Sequence, residues 1–131
     1  PNTTQNALQL AEAIRTGNAN QVVGLLTQLF CKAESPLLVL ASLMTQFHTW
    51  LWVKSALTSP AILKDTELAA CCGIRNPKRL YYLRQEILTI SVHALTQAVT
   101  ELLILENRLR QGEAAEIMLP ALVKIARLFH Y

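Results

Sequence analysis

Charged residues, glycine and proline are all scarce in this sequence, and the shortages exclude whole classes of protein. Charged residues make up 16% of the 131 positions, whereas hydrophobic residues make up 52%. Intrinsically disordered chains have the opposite balance, so disorder is excluded. Four glycines and five prolines are too few for the many turns of an all-β domain. The composition therefore favours a helical domain, and its low charge suggests apolar surface that a partner covers.

Cysteine is also scarce, and Cys31, Cys71 and Cys72 do not form a disulfide framework. The number is odd and two of the residues are adjacent, so we expect a reducing cytoplasm. Neighbouring residues on a helix point about 100° apart, which disfavours joint binding of one metal ion. We interpret Cys71 and Cys72 as buried free thiols. A redox enzyme that uses this pair is the least favoured alternative.

Signals for catalysis, for a metal and for a cofactor are missing. His48, His93 and His130 are scattered, and none has a second ligand one helical turn away. The sequence has no glycine-rich phosphate loop, so no ATP site is predicted. We therefore predict no catalytic residue, no metal and no cofactor, and we do not expect the chain to be an enzyme.

Capping residues and helix breakers divide the sequence into helices joined by short loops. The first helix has a cap at Thr4 and ends at Gly17, the second has a cap at Asn18, and the third starts at Ser35-Pro36 and breaks at Ser59-Pro60. Further signals are a cap at Asp65 with an end at Gly73, a start at Asn76-Pro77, and a cap at Ser91 with an end at Gly112. The last helix lies within Glu113–Tyr131 and holds Pro120 in its first turn or at a kink. We predict one all-α domain over residues 1–131, a bundle of about six helices. The first residue is not Met, so we expect this domain to be a fragment of a longer protein.

One segment requires a test for membrane insertion. Nineteen residues from Ser35 to Val53 contain no charge, which approaches the length of a membrane span. A polar stripe at helical spacing interrupts the segment, and it consists of Ser42, Thr45, Gln46 and Thr49. A helix in lipid would not keep such a stripe, so we predict a helix of a soluble domain that is buried on most sides.

The segment from Asp65 to Arg84 has the pattern of a helix-turn-helix. Its turn and second helix carry four cations before the first acid, Glu86, and these cations are Arg75, Lys78, Arg79 and Arg84. Such a cluster fits a phosphate backbone, but it equally fits a solvated basic helix face. An independent DNA-binding domain of a transcription regulator is therefore an alternative. Against it, Tyr81, Tyr82 and Leu83 leave few side chains that could read bases.

A second group of candidate residues is mostly apolar. Trp50 and Trp52 point to different faces of the third helix. Ile104 lies on the mostly polar side of the helix predicted between Ser91 and Gly112, beside Arg108. Tryptophan is enriched in protein interfaces. These four residues are the candidates for contact with a protein partner.

Five segments follow one another along nearly the whole chain, and their order and spacing carry a resemblance. They are Ala11–Asn18, Ser35–Leu43, Glu67–Ile74, Asn76–Gln85 and Leu103–Gly112. Together they resemble the C-terminal domain of the delta subunit of bacterial DNA polymerase III, a clamp-loader subunit. One feature departs from the family pattern, because Glu113 follows Gly112 where the family usually has Asp-Pro, and Pro120 comes later.

The resemblance implies a collar module in the clamp loader. In this family the helical domain packs in a ring with delta prime and tau or gamma subunits, and the ring supports loading of the sliding clamp onto primed DNA. The delta subunit contacts the sliding clamp through an N-terminal part that this chain lacks. Template DNA emerges near the collar, so the resemblance implies weak template contact by Arg75, Lys78, Arg79 and Arg110. It also implies a cytoplasmic protein that does not hydrolyse ATP.

Overall fold

The computed structural model describes residues 3–59 and 64–130, and these residues form seven α-helices. The helices are α1 (Thr3–Arg15), α2 (Ala19–Cys31), α3 (Pro36–Thr58), α4 (Asp65–Cys71), α5 (Pro77–Ile87), α6 (Val92–Arg110) and α7 (Met118–Ala126). Short 3₁₀ turns at Ala115–Ile117 and Arg127–Phe129 flank α7. No strand occurs in the described ranges. The prediction of an all-α bundle is confirmed, with seven helices where about six were expected.

Most helices begin where the sequence places a cap. Four of the predicted caps accept a hydrogen bond from a backbone N–H of the first turn, and the pairs are Asn18 with Gln21 (3.1 Å), Ser35 with Leu38 (3.3 Å), Asn76 with Lys78 (3.0 Å) and Ser91 with Ala94 (3.0 Å). Pro36 and Pro77 occupy the first turn, where a missing N–H costs no bond inside the helix. Local chemistry thus determines these boundaries.

Several predicted boundaries differ from the structure. Asp65 is the first residue of α4, and Lys64 precedes it, because the Glu67 carboxylate accepts the backbone N–H of Lys64 (3.3 Å). Thr4 lies inside α1 rather than before it. The last predicted helix is divided into two 3₁₀ turns around α7, and Pro120 falls in the first turn of α7. The predicted break at Pro60 and the end at Tyr131 lie outside the described residues.

The central helix, α3, packs against α1 and α6 through one face. This face is fully buried and consists of Val39, Leu40, Leu43, Phe47, Trp50 and Val53. The opposite face is exposed and includes Leu38 and Trp52, so the prediction of burial on most sides is wrong. By length and composition alone α3 could cross a membrane, as many core helices of soluble proteins could. Packing against α1 and α6 accounts for the apolar residues of its buried face.

The short helices α4 and α5 form a unit that is fastened to the bundle by α5. Leu80, Leu83 and Ile87 of α5 are buried, which confirms the predicted core side of this helix. At its C-terminal end, Lys54 of α3 donates to the carbonyl oxygens of Ile87 (3.2 Å) and Leu88 (3.3 Å). The opposite surface of α5 is consequently free to carry the predicted cations.

Candidate nucleic-acid and subunit interfaces

Three cations lie together where α4 turns into α5, and we call Arg75, Lys78 and Arg79 the basic surface. All three side chains are exposed. Gly73 makes the turn with φ +71°, a left-handed conformation that favours glycine. The cap at Asn76 then starts α5, so that Lys78 and Arg79 stand in its first turn. The three exposed cations thus share this turn and the start of α5, and their contact with DNA stays a prediction.

The cations differ in whether a carboxylate already neutralises them. Among the residues that the structure describes, Arg75 and Lys78 form no ion pair. Arg79 Nη1 lies 3.7 Å from Glu86 Oε1. Arg84, the fourth cation of the sequence pattern, binds Asp65 at 2.6 Å and so ties α4 to α5. Arg84 is therefore a structural residue, and two uncompensated charges remain at the turn.

The acid opposite Arg79 belongs to a polar cluster that joins three helices. Trp50 Nε1 of α3 donates to Glu86 Oε1 (3.4 Å), and Arg15 Nη1 of α1 donates to the Glu86 backbone carbonyl (2.8 Å). The Arg15 guanidinium also stacks 5.5 Å from the centre of the Trp50 ring and pairs with Glu12. Burial raises the pKa of Glu86, and the nearby Glu12 carboxyl raises it further, against the opposing effects of Trp50 and Arg79.

Arg110 does not join the basic surface. The axes of α5 and α6 differ in direction by 99°. Arg110 is the last residue of the 19-residue helix α6, so it lies about 27 Å from the start of that helix, next to α5. It pairs with Glu106 at 3.6 Å. The four predicted DNA contacts therefore form one group of three and a separate residue.

The residues predicted to contact a partner differ in exposure. Trp50 is 0% exposed and packs edge-on against Phe47, with ring centres 4.9 Å apart. The prediction that Trp50 contacts a partner is therefore wrong, because its ring belongs to the core. Trp52 and Ile104 are exposed by 57% and 49%. Arg108 is exposed as well, and its guanidinium makes two 2.9 Å bonds to the Glu113 carboxylate.

The sequence analysis missed several other apolar side chains that are exposed in the same way as Trp52 and Ile104. Leu103 adjoins Ile104 on α6, and Leu38 lies on the outer face of α3 that carries Trp52. A shallow groove of about 330 Å³ runs between α6 and α7, and Glu101 and Lys124 line it. No short motif identifies such positions, because each becomes visible only when the packing of the helices is known.

The cysteine pair is also divided by burial. Cys72 is buried, but Cys71 is exposed, so the prediction that both thiols are buried is wrong. Burial, with a smaller contribution from Cys71, raises the pKa of the Cys72 thiol. A raised pKa opposes the thiolate that redox catalysis needs. Within residues 3–59 and 64–130, no group of three or more His, Cys, Asp or Glu side chains is arranged to hold a metal ion.

The sequence matches the family described as "DNA polymerase III delta subunit, C-terminal domain" over residues 4–124. The chain belongs to this family. The match runs from α1 into α7 and confirms the resemblance carried by the five segments. Comparison with curated proteins and with solved structures gives no match.

Membership of the delta C-terminal family bears on the interpretation of the helix-turn-helix segment. The helix-turn-helix pattern is a part of this helical domain, so the family match does not favour an independent transcription regulator. The two tyrosines that fill the middle of α5, Tyr81 and Tyr82, are exposed and contact each other edge to face at 5.4 Å. The described residues thus present a basic surface at the start of α5 and separate apolar positions on α3 and α6.

Proposed function

We propose that this chain is an assembly module of the bacterial DNA polymerase III clamp loader. It packs in a collar ring with tau or gamma and delta prime subunits and supports loading of the sliding clamp during DNA replication. The observation that carries the proposal is the family match over residues 4–124, which spans nearly the whole helical domain. In this role the chain is a non-catalytic, cytoplasmic component. Contact with the sliding clamp belongs to another part of the delta subunit.

The exposed apolar residues support an assembly role. Trp52 on α3 and the adjacent pair Leu103 and Ile104 on α6 stand in solvent in the isolated domain. Protein interfaces are depleted in charge at their centres, and tryptophan is frequent among the residues that dominate binding energy. We propose Trp52, Ile104 and Arg108 as subunit contacts, with Arg108 held in place by Glu113.

A mixing experiment tests the assembly role. The chain is combined with tau or gamma and delta prime subunits, and the complexes are sized by chromatography with light scattering. We expect the chain to co-elute with the subunits. Trp52→Ala and Ile104→Ala should weaken this association, whereas Val23→Ala, a matched control at an exposed apolar position of α2, should not. Absence of co-elution for the unmodified chain overturns the proposal, and tight sequence-dependent binding of a DNA duplex would restore the transcription-regulator alternative.

We further propose that the basic surface contacts phosphates of the template strand. Support comes from Arg75 and Lys78, which are exposed and form no ion pair in the described part of the chain. Arg110 is proposed as a separate contact, because α6 holds it away from the other three. Each Lys or Arg that neutralises a phosphate contributes roughly 0.7–0.9 to the slope of log affinity against log salt.

The double variant Arg75→Ala/Lys78→Ala tests this contact in the assembled loader. Binding of primed DNA should weaken, and the salt slope should become shallower by roughly 1.5. The control variant Lys32→Ala/Arg127→Ala removes the same charge from exposed positions elsewhere and should leave the slope nearly unchanged. Equal slopes for both variants would show that the basic surface does not hold phosphates.

A further inference from the structure

Glu86 is the only acidic residue of α5, and the bundle holds it in place. Its side chain is 19% exposed, compared with 46% for Arg79. The Trp50 indole N–H binds its carboxylate, and Arg15 binds its backbone carbonyl. Lys54 fixes the following turn through the carbonyl oxygens of residues 87 and 88. The Glu86 carboxylate is therefore a positioned acceptor rather than a freely rotating one.

A positioned acceptor competes well for a nearby cation. When two exposed side chains pair, both lose rotamer entropy, and this loss cancels much of the Coulomb attraction. Here the acceptor is already ordered by the core, so the 3.7 Å pair with Arg79 costs mainly the entropy of the arginine. Arg75 and Lys78 face no such competitor among the described residues. The three cations of the basic surface are thus unequal.

We propose that Glu86 restrains Arg79. DNA phosphates can then contact Arg75 and Lys78 without breaking an ion pair, whereas contact with Arg79 requires its pair with Glu86 to break. This inference rests on the proposed phosphate contact of the basic surface. The other charged groups next to Glu86 are Glu12 and Arg15 on α1 and Lys54 on α3. Arg15 and Lys54 bind backbone carbonyls at this end of α5, and Arg15 also pairs with Glu12. Arg79 is consequently the cation that the Glu86 carboxylate holds back from DNA.

The variant Glu86→Gln isolates this effect. The amide oxygen of glutamine still accepts the Trp50 N–H, but the attraction for Arg79 is lost. We expect the affinity of the assembled loader for primed DNA to rise about two- to fivefold. The salt slope should steepen by roughly 0.7–0.9, because Arg79 becomes available to a phosphate. Glu67→Gln is the matched control, since it removes one acid from neighbouring α4 and keeps an acceptor for the Lys64 N–H.

A double-mutant cycle distinguishes the specific pair from a general change of charge. In an Arg79→Ala background, Glu86→Gln should no longer alter affinity or salt slope. An equal effect of Glu86→Gln with and without Arg79, or an effect no larger than that of Glu67→Gln, overturns the inference and leaves the phosphate contact standing. If Arg75→Ala/Lys78→Ala leaves the slope unchanged, the phosphate contact itself fails, and this inference fails with it.

Discussion

Trp50 and Glu86 are 36 positions apart in the sequence and meet through one hydrogen bond, from the indole Nε1 to the carboxylate Oε1 at 3.4 Å. This bond connects the central helix of the bundle to the helix that carries the basic surface. The donor stands on the buried face of α3, so the same tryptophan packs in the core and orients the acid. The stability of the fold and the position of the proposed DNA contact therefore share residues.

The shifted pKa of Glu86 predicts a specific dependence of stability on pH. Burial and Glu12 raise this pKa above its usual 4.5, so the folded state holds the proton more tightly than the unfolded state does. The stabilisation from protonation is fully present below pH 4.5 and is lost as the pH rises through the raised folded pKa. Urea unfolding of the chain and of Glu86→Gln, measured on both sides of this range, isolates the effect of Glu86. As the pH rises, the unmodified chain should lose stability relative to the variant, which keeps all the other carboxyls. Parallel stability curves for the two proteins would contradict the shift.

The two tryptophans provide a second prediction, on stability. Trp50→Ala should lower the free energy of unfolding by about 3–5 kcal/mol, because it empties a fully buried site and leaves Glu86 without its indole donor. Trp52→Ala should change the same free energy by no more than about 0.5 kcal/mol, since its side chain is mostly in solvent. If Trp50→Ala does not fold, Trp50→Phe replaces it in the comparison, because phenylalanine keeps an aromatic ring in the core. Similar losses for Trp50→Ala and Trp52→Ala, measured by urea denaturation, would show that the assignment of core and surface is wrong.

Local features of the fold were predictable from sequence, whereas features that depend on packing were not. The caps at Asn18, Ser35 and Ser91 act within three residues, so their side chains identify them directly. The choice between Trp50 and Trp52 was not predictable, because α3 is apolar around most of its circumference and periodicity does not select a face. The Glu12–Arg15–Glu86 cluster joins positions that are far apart in the chain. No local spacing indicates that contact.

The cysteines predict an uneven reaction with thiol reagents. Cys31 and Cys71 are exposed, whereas Cys72 is buried and burial raises its pKa. Two thiols should therefore react rapidly with a colorimetric disulfide reagent in the folded chain, and the third should react only after denaturant is added. Replacement of Cys71 by Ser should leave only one rapidly reacting thiol per chain. Cys72→Ser should remove the thiol that reacts only in denaturant. Three rapid equivalents in the unmodified chain would contradict the burial of Cys72.

Gly17 and Gly73 form a matched pair that separates backbone strain from steric contact. Both have φ +71°, so replacement by alanine strains each turn by about 1–2 kcal/mol. A Cβ at Gly17 would also lie 3.0 Å from the backbone of His130, whereas a Cβ at Gly73 has nothing within 4 Å. Gly17→Ala should consequently lower the free energy of unfolding more than Gly73→Ala does, because the turn between α1 and α2 packs directly on the end of the chain that follows α7. Urea denaturation of the two variants measures the difference. Equal losses would mean that the segment around His130 moves aside at no cost and that the contact with Gly17 contributes nothing to the closure of the bundle.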